Sequence, residues 1–367
     1  MTTETETKQA VEETQRSAEA GAAQFPGWNS RRFNYYTPSG KRDLRQYQDV
    51  TVDVQPDVSR HLLQSWIISF ADGTPSYHER WTKLKSSDWH AFRDPNGEWE
   101  RTIYMRESTL EKHVALTTRN ARGTGVFERF DPSWLKVLEQ HVLASKHPEY
   151  WLGMEVFLQA QRDAMTNMIN NAISVNSMDK LRYAQDLALY GMDLAAALSG
   201  FSEEASRHVW LEDPIWQPSR ENVELLSTSS DWGEQVFATN FVYEPLVGEP
   251  FRSYFIMQFA AVHGDYVTPV ITGATEWDYE RHLQASQVLY SMLANDPEFG
   301  DHNREVMHEW LKKWVPISVA AARQLQPIWS LPRVKQMPFG EAYERAKARL
   351  ENVLGSIGIQ LPAGVEL

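Results

Sequence analysis

Cysteine is missing from all 367 residues of the chain. That absence removes disulfides, zinc ribbons, Cys-ligated iron–sulfur clusters and thiol catalysis. Any metal site must be built from histidine and carboxylate side chains. Positive charge is also short: 36 Lys and Arg face 49 Asp and Glu, a formal net charge of -13. A field of that sign repels phosphate backbones, so no nucleic-acid partner is expected. Long apolar runs are lacking too. The stretches 255–262 and 315–322 fall far short of the ~18–20 residues of a spanning helix, so no membrane association is expected. The start of the chain, with Glu4, Glu6, Glu12, Glu13 and Glu19 and no apolar core, does not read as a signal peptide. These absences predict a soluble, cytoplasmic protein. Glycine-loop signatures are missing as well. Gly123-Thr124-Gly125 lacks the third glycine and the strand context of a dinucleotide loop, and neither G-x-S-x-G nor a Walker loop occurs.

What is abundant is aromatic: 14 Trp, 14 Tyr and 15 Phe. Residues 1–24 take no part in this. They are Thr, Glu, Ala and Gln, cannot bury enough surface to offset ordering entropy, and predict a disordered tail. Residues 25–97 mix Pro and Gly breaks with Trp28, Arg31, Arg32, Phe33, Tyr35, Tyr36, Arg42, Arg45 and Tyr47. They read as an extended arm, lying either on its own helices or on a partner, since aromatics and Arg are enriched in interface cores. From residue 98 to 367 the pattern is helical. Helices are predicted at 98–119, 132–145, 149–175, 178–199, 202–211, 219–227, 232–243, 250–262, 265–294, 302–326 and 338–354. His147-Pro148 and Glu249-Pro250 are among the expected stops, and Asp131, Ser202, Ser219 and Asp231 among the expected N-terminal caps. Strand signals are scarce, so the class is all-α, a bundle of long helices.

Two of those helices carry related pentapeptides, Asp179-Lys180-Leu181-Arg182-Tyr183 and Asp278-Tyr279-Glu280-Arg281-His282. In each, positions one, two and five share a helix face. Di-iron four-helix proteins use this spacing. A Glu and a His three residues apart ligate from each of two helices, and each of the other two helices adds a lone Glu. An Asp one turn before the His can accept its other ring N–H. The full pattern is D-E-x-R-H. Here the frame remains as Asp179, Arg182, Asp278 and Arg281. The ligand positions hold Lys180, Tyr183 and Tyr279, and only His282 survives. The expectation is a chain with no catalytic, cofactor-binding or metal-ligating residues of its own. Two unrelated surface D-x-x-R patches are the alternative.

With these motifs the chain resembles the β (small) subunits of soluble bacterial multicomponent di-iron monooxygenase hydroxylases, most of all the propane and small-alkane type. The stretch from Gly264 to His282 is similar to that family's second motif helix, and 179–185 to its first. Tyr35 to Asp49, Phe92-Arg93-Asp94-Pro95 and Trp99 also look like β-subunit features. The resemblance covers most of 30–350 and is diffuse outside the motif helices. It implies a ferritin-like (ribonucleotide-reductase-like) bundle whose two iron ions reside in a partner α (large) subunit. It further implies a dimer of α–β units, with or without a third small subunit, served by a regulatory coupling protein and a reductase. Such a complex hydroxylates a small hydrocarbon with O2 and NADH. A gapless count puts Tyr150 and Pro245 at the lone-Glu positions, with Glu149, Glu155, Glu244 and Glu249 nearby.

Other candidate chemistry is thinner. Glu305 and His308 form one true Glu-x-x-His, a spacing that chance supplies about once in a chain of this size. Glu203, Glu204 and His208 fit helix initiation after Ser202, with His208 packing near Trp210 and Trp216; His113 and His141 have no partner at ligand spacing. Two other function classes remain open on the residues alone. One is a stand-alone carboxylate-bridged metalloenzyme using Glu305, His308, His282 and one or two of the nearby Glu residues; the other is a helical interaction scaffold.

Overall fold

The computed structural model describes residues 46–52 and 79–367. The tail expected at 1–24 and most of the arm expected at 25–97 lie outside the described residues. Among the described residues there are helices, turns and loops but no strand. The long helices are α1 (Glu100–Gly123), α2 (132–163), α3 (Asn167–Ala197), α4 (Glu204–Glu212), α5 (Gln217–Thr228), α6 (232–259), α7 (Val267–Ala294), α8 (Gly300–Gln324) and α9 (Phe339–Ser356). Four of them close a ring: α3 packs between α2 and α7, and α6 packs on α7 and α2. Helix α1 lies over α3 and α7, α8 over α6 and α5, and α9 over α6. This is the all-α, ferritin-like bundle of long helices that the sequence predicts.

Helix boundaries depart from the sequence reading at the prolines. Helix α2 passes through Pro148 and ends at Asp163, so the break falls at 164–166 and not at His147-Pro148 or near 176. Thr166 Oγ1 starts α3 by accepting the N–H of Ile169 at 3.3 Å. Helix α6 likewise runs past Pro245 and Pro250. A proline lacks an N–H and its ring crowds the carbonyl four residues back. Here the crowded turns are not regular α-helix. A tight 3-10 turn, Leu143–Ser145, precedes Pro148, and wide π-turns, Ala238–Gly248 and Pro250–Ile256, carry the other two. Asp131 and Asp231 cap as expected, accepting from Ser133 N and Gly233 N, each at 2.9 Å. Ser219 does not cap: it is buried inside α5, its Oγ 3.2 Å from the Tyr243 hydroxyl. Ser202 makes no cap either; its N–H donates to Glu139 Oε1 at 2.8 Å, and α4 begins after Glu203.

The aromatic surplus fills the core. Trp134, Trp216, Trp232, Trp310 and Trp314 are all fully buried. Phe237, Phe241, Tyr290 and Trp310 pack with ring centroids 5.2 to 5.6 Å apart, tying α6 to α7 and α8. Phe251, Phe255 and Trp329 make a second group under α9. Truncating any one of these rings to Ala costs roughly 3–5 kcal/mol, so the core is held at many points. The described parts of the arm lie on the chain's own helices. Asn167 Nδ2 donates to Thr51 O at 2.9 Å, Lys85 N to Asn303 Oδ1 at 2.9 Å, and Asn96 Nδ2 to Arg281 O at 3.1 Å.

Candidate functional site

The polar middle of the bundle is built from one face of each ring helix. Helix α3 buries Asp179, Lys180 and Tyr183, and α7 buries Asp278, Tyr279 and His282. Helix α2 adds Glu149, and α6 adds Glu244 and Arg252, all buried. Close approach of α2 to α3 depends on Gly153. A Cβ there would stand 2.8 Å from Leu181 Cγ and 3.1 Å from Ser177 O. Ser177 Oγ fastens the crossing by donating to Gly153 O at 2.8 Å.

At the centre, two carboxylates and two cations form a closed ring of charges. Arg252 Nη1 donates to Glu149 Oε1 at 2.8 Å, and Arg252 Nη2 donates to Glu244 Oε2 at 2.6 Å. The other oxygens face Lys180. Its Nζ donates to Glu244 Oε1 and lies 2.6 Å from Glu149 Oε2, a close ion pair that is not aligned as a hydrogen bond. Arg252 Nε and Ser253 Oγ donate to Glu276. Burial pushes the Glu244 carboxyl up, but Arg252 and Lys180 pull harder in the other direction and hold it at about 2. Two phenols complete the wall. The Tyr183 hydroxyl is 3.3 Å from Thr272 Oγ1, and Tyr279 donates to Asn240 O at 3.0 Å. Burial raises both phenols above their ordinary range and keeps them neutral.

Beside this centre the two motifs meet crosswise. Arg182 of the first donates to Asp278 of the second at 2.5 Å, and His282 Nε2 of the second lies 3.0 Å from Asp179 Oδ2 of the first. Arg106 of α1 grips Asp179 with two bonds of 2.8 Å. Arg281 donates to Asp278, and Arg182 also meets Asp186 and Glu107, each at 2.5 Å. Asp179 is buried, which raises its pKa, yet His282, Arg106 and Arg182 bring it down to about 2. Glu107 goes the other way, to about 7, because burial outweighs Arg182 and the charges of Asp179 and Asp278 add to the rise. Oxygens of Glu107, Asp179 and Asp278 all lie within 4.8 Å of one another. Those three carboxylates are already claimed by Arg106 and Arg182, and they make only a partial metal-ligand set.

The structure separates the remaining candidates from this middle. On α8, Glu305 is exposed and His308 half-buried, and neither belongs to a cluster of three metal-ligating groups among the described residues. His208 and His113 are exposed. The packing expected of His208 belongs instead to His147, which stacks on Trp210 at 5.9 Å. His141 has no metal-ligating neighbour in a cluster of three among the described residues; it accepts the Trp216 indole N–H at 3.2 Å, and burial lowers it to about 4. Of the gapless-count positions, Tyr150 is exposed and Pro245 is buried. The inward carboxylates are Glu149 and Glu244, each one residue earlier. Arg252, Glu276, Arg106 and Glu107 are site residues that motif spacing alone does not reveal. Arg252 carries one signal, a lone charge inside the apolar run from Phe251 to Met257, where an unpaired cation would be untenable.

An iron pair of the kind held by intact D-E-x-R-H motifs does not fit these residues. An ammonium carries no free lone pair and repels a metal ion, and Lys180 Nζ stands between the two carboxylates that would bridge one. Tyr183 and Tyr279 offer protonated phenols, and His282 is the sole imidazole of the two motifs. The result is a ferritin-like bundle whose described residues form only a partial metal-ligand set.

The chain belongs to the family described as methane/phenol/alkene hydroxylase, whose model matches residues 66–297. It is 47% identical over 345 residues to the hydroxylase component small subunit of propane 2-monooxygenase from Gordonia sp. (strain TY-5), covering 94% of each chain. It is 28% identical over 311 residues to the methane monooxygenase component A beta chain of Methylococcus capsulatus, covering 82% of this chain and 79% of that one. The crystal structure of xenon-pressurized phenol hydroxylase from Pseudomonas sp. OX1 shares the fold. It superposes with a TM-score of 0.72 at 18% identity, over 90% of this chain and 98% of that chain.

Proposed function

We propose that this chain is the non-catalytic small subunit of a di-iron monooxygenase hydroxylase. It supports an iron-bearing large subunit in a complex that hydroxylates a propane-like small alkane with O2 and electrons from NADH. The observation that carries this reading is the charge ring at the bundle centre, where Lys180 and Arg252 bridge Glu149 and Glu244. The 47% identity to a propane 2-monooxygenase small subunit supports the substrate class. Oxidation of the alkane belongs to the large subunit and its two irons. This chain's residues bind no substrate and move no proton in that reaction. They fix the positions of four long helices against which the large subunit packs.

The assembly in this reading is a dimer of large–small units, served by a coupling protein and a reductase, in the cytoplasm where NADH is available. No helix among the described residues is long and apolar enough to cross a membrane. The chain divides into a tail (1–24), an arm (25–97) and a helical domain (98–367), and the arm extends the contact with the large subunit beyond the bundle.

The test is iron and oxygen chemistry with and without the partner. The chain is produced alone and together with a large subunit that carries two intact D-E-x-R-H motifs. Iron per chain and propane oxidation with NADH, coupling protein and reductase are then measured. Iron and activity are expected only in the co-produced complex, which should elute as one species. Stoichiometric iron with O2 reactivity in the isolated chain would overturn the reading.

A further inference from the structure

The charge ring has a particular connectivity. Each carboxylate bridges the same two cations with its two oxygens, Glu149 through Oε2 to Lys180 and Oε1 to Arg252, and Glu244 through Oε1 to Lys180 and Oε2 to Arg252. That is the connectivity of two bridging carboxylates on a pair of metal ions, with an ammonium and a guanidinium in the ions' places. The backbone leaves room for it. A Cβ at Gly248 would stand 2.5 Å from Glu244 Oε2 and 2.9 Å from Arg252 Nη1. Every member is buried, with side-chain exposures of 6% for Lys180, 6% for Glu149, 2% for Arg252 and 0% for Glu244, so solvent does not screen the charges. The two carboxylates come from α2 and α6, Lys180 from α3 and Arg252 from α6. The ring therefore ties three helices through ion pairs, three of the four also hydrogen bonds, and Arg252 extends it to Glu276 on α7.

We propose that the space between Glu149 and Glu244 is a cation-binding site which the chain fills permanently with its own Lys180 ammonium. Emptied of that ammonium, the site takes a small alkylammonium ion from solution. The proposal rests on the reading that this chain holds no iron, and the iron content of the native chain tests that reading separately. The physical reason is balance. Two buried carboxylates brought together by the fold cannot both stay ionised without two adjacent positive charges, and neither can leave without unfolding the bundle.

The test uses the full chain in complex with its large subunit. Lys180→Met keeps an unbranched side chain out to Cε and removes the ammonium; Lys180→Ala removes everything beyond Cβ and leaves a slot the length of n-propylammonium. Lys180→Met should lower the unfolding midpoint by roughly 5–10 °C. The paired variant Lys180→Met with Glu244→Gln removes one charge of each sign and should recover at least half of that loss. Lys180→Ala should regain midpoint saturably with n-propylammonium chloride, and not with n-propanol or with sodium chloride at equal ionic strength. Equal responses to n-propylammonium and sodium chloride would overturn the proposal. So would a Lys180→Met midpoint equal to the native one. If Lys180→Met fails to fold, the paired variant decides: folding supports the charge requirement, and failure to fold overturns it.

Discussion

Two polar layers lie side by side in the middle of this bundle, and they have kept different things. In the central layer the positions that ligate iron in D-E-x-R-H proteins hold Lys180, Tyr183 and Tyr279, and the charges that remain are Glu149 and Glu244, closed off by Lys180 and Arg252. In the neighbouring layer Asp179, Arg182, Asp278, Arg281 and His282 keep the residue types of the motif and cross-link α3 to α7. The difference teaches which part of the motif serves the helices. A ligand is needed only while there is something to ligate. A buried Asp–Arg pair is needed as long as the helices must stay in register, because breaking it strands a charge in the core.

Three substitutions test that contrast. Arg252→Met should have the largest effect, because it leaves Glu149, Glu244 and Glu276 without their shared partner. A loss of about 3–5 kcal/mol in chemical denaturation is expected. A loss below about 1 kcal/mol would mean that the central layer is not held by charge. Asp179→Asn keeps the shape but weakens two bonds from Arg106 and the approach of His282. Its expected cost is about 1–3 kcal/mol, less than at the centre because Arg106 is partly exposed to water. The reverse order of these two variants would break the comparison.

The smallest effect is in pH dependence, and there Glu107 beside the motifs and Glu244 at the centre differ in sign. Glu107 has its folded pKa raised to about 7 from the ordinary 4.5. Its contribution is therefore full below about pH 4.5 and is lost as pH rises through 7. Glu244 is held at about 2, so its contribution is present above pH 4.5 and is lost only as pH falls toward 2. Denaturation between about pH 4.5 and 8 should show a decline on the order of 1 kcal/mol once solvent screening is allowed for. Glu107→Gln should flatten that decline and leave the acid limb below about pH 4 unchanged. An unchanged slope would assign the decline to other groups, among them Glu249, which burial also raises to about 7.

Much of the site is legible in the sequence. The motif frame can be read because an unbroken α-helix places positions one, two and five on one face, and α3 and α7 are unbroken helices across their motifs. The lone carboxylates cannot be read by counting, because α2 and α6 are not regular. Each wide turn takes an extra residue, which rotates the remainder of the helix and defeats a gapless alignment. Tyr150 and Pro245 therefore give way to Glu149 and Glu244. The same irregular turns let Pro148, Pro245 and Pro250 sit inside helices that the sequence reading ends at Pro148 and Pro250.

By itself the sequence determined the chemistry that is missing. Without cysteine, and with Lys, Tyr and Tyr at three of four motif ligand positions, the repertoire was already narrowed to histidine and carboxylates and then to a frame without its ligands. Residue type decides that much, since no fold gives an ammonium a lone pair. Tertiary structure decided what stands in the ligands' place. Arg252 is two turns beyond Glu244 on its own helix and far from Glu149 and Lys180 in sequence. Only the packing of α2, α3 and α6 around one buried point makes the four charges neutralise one another.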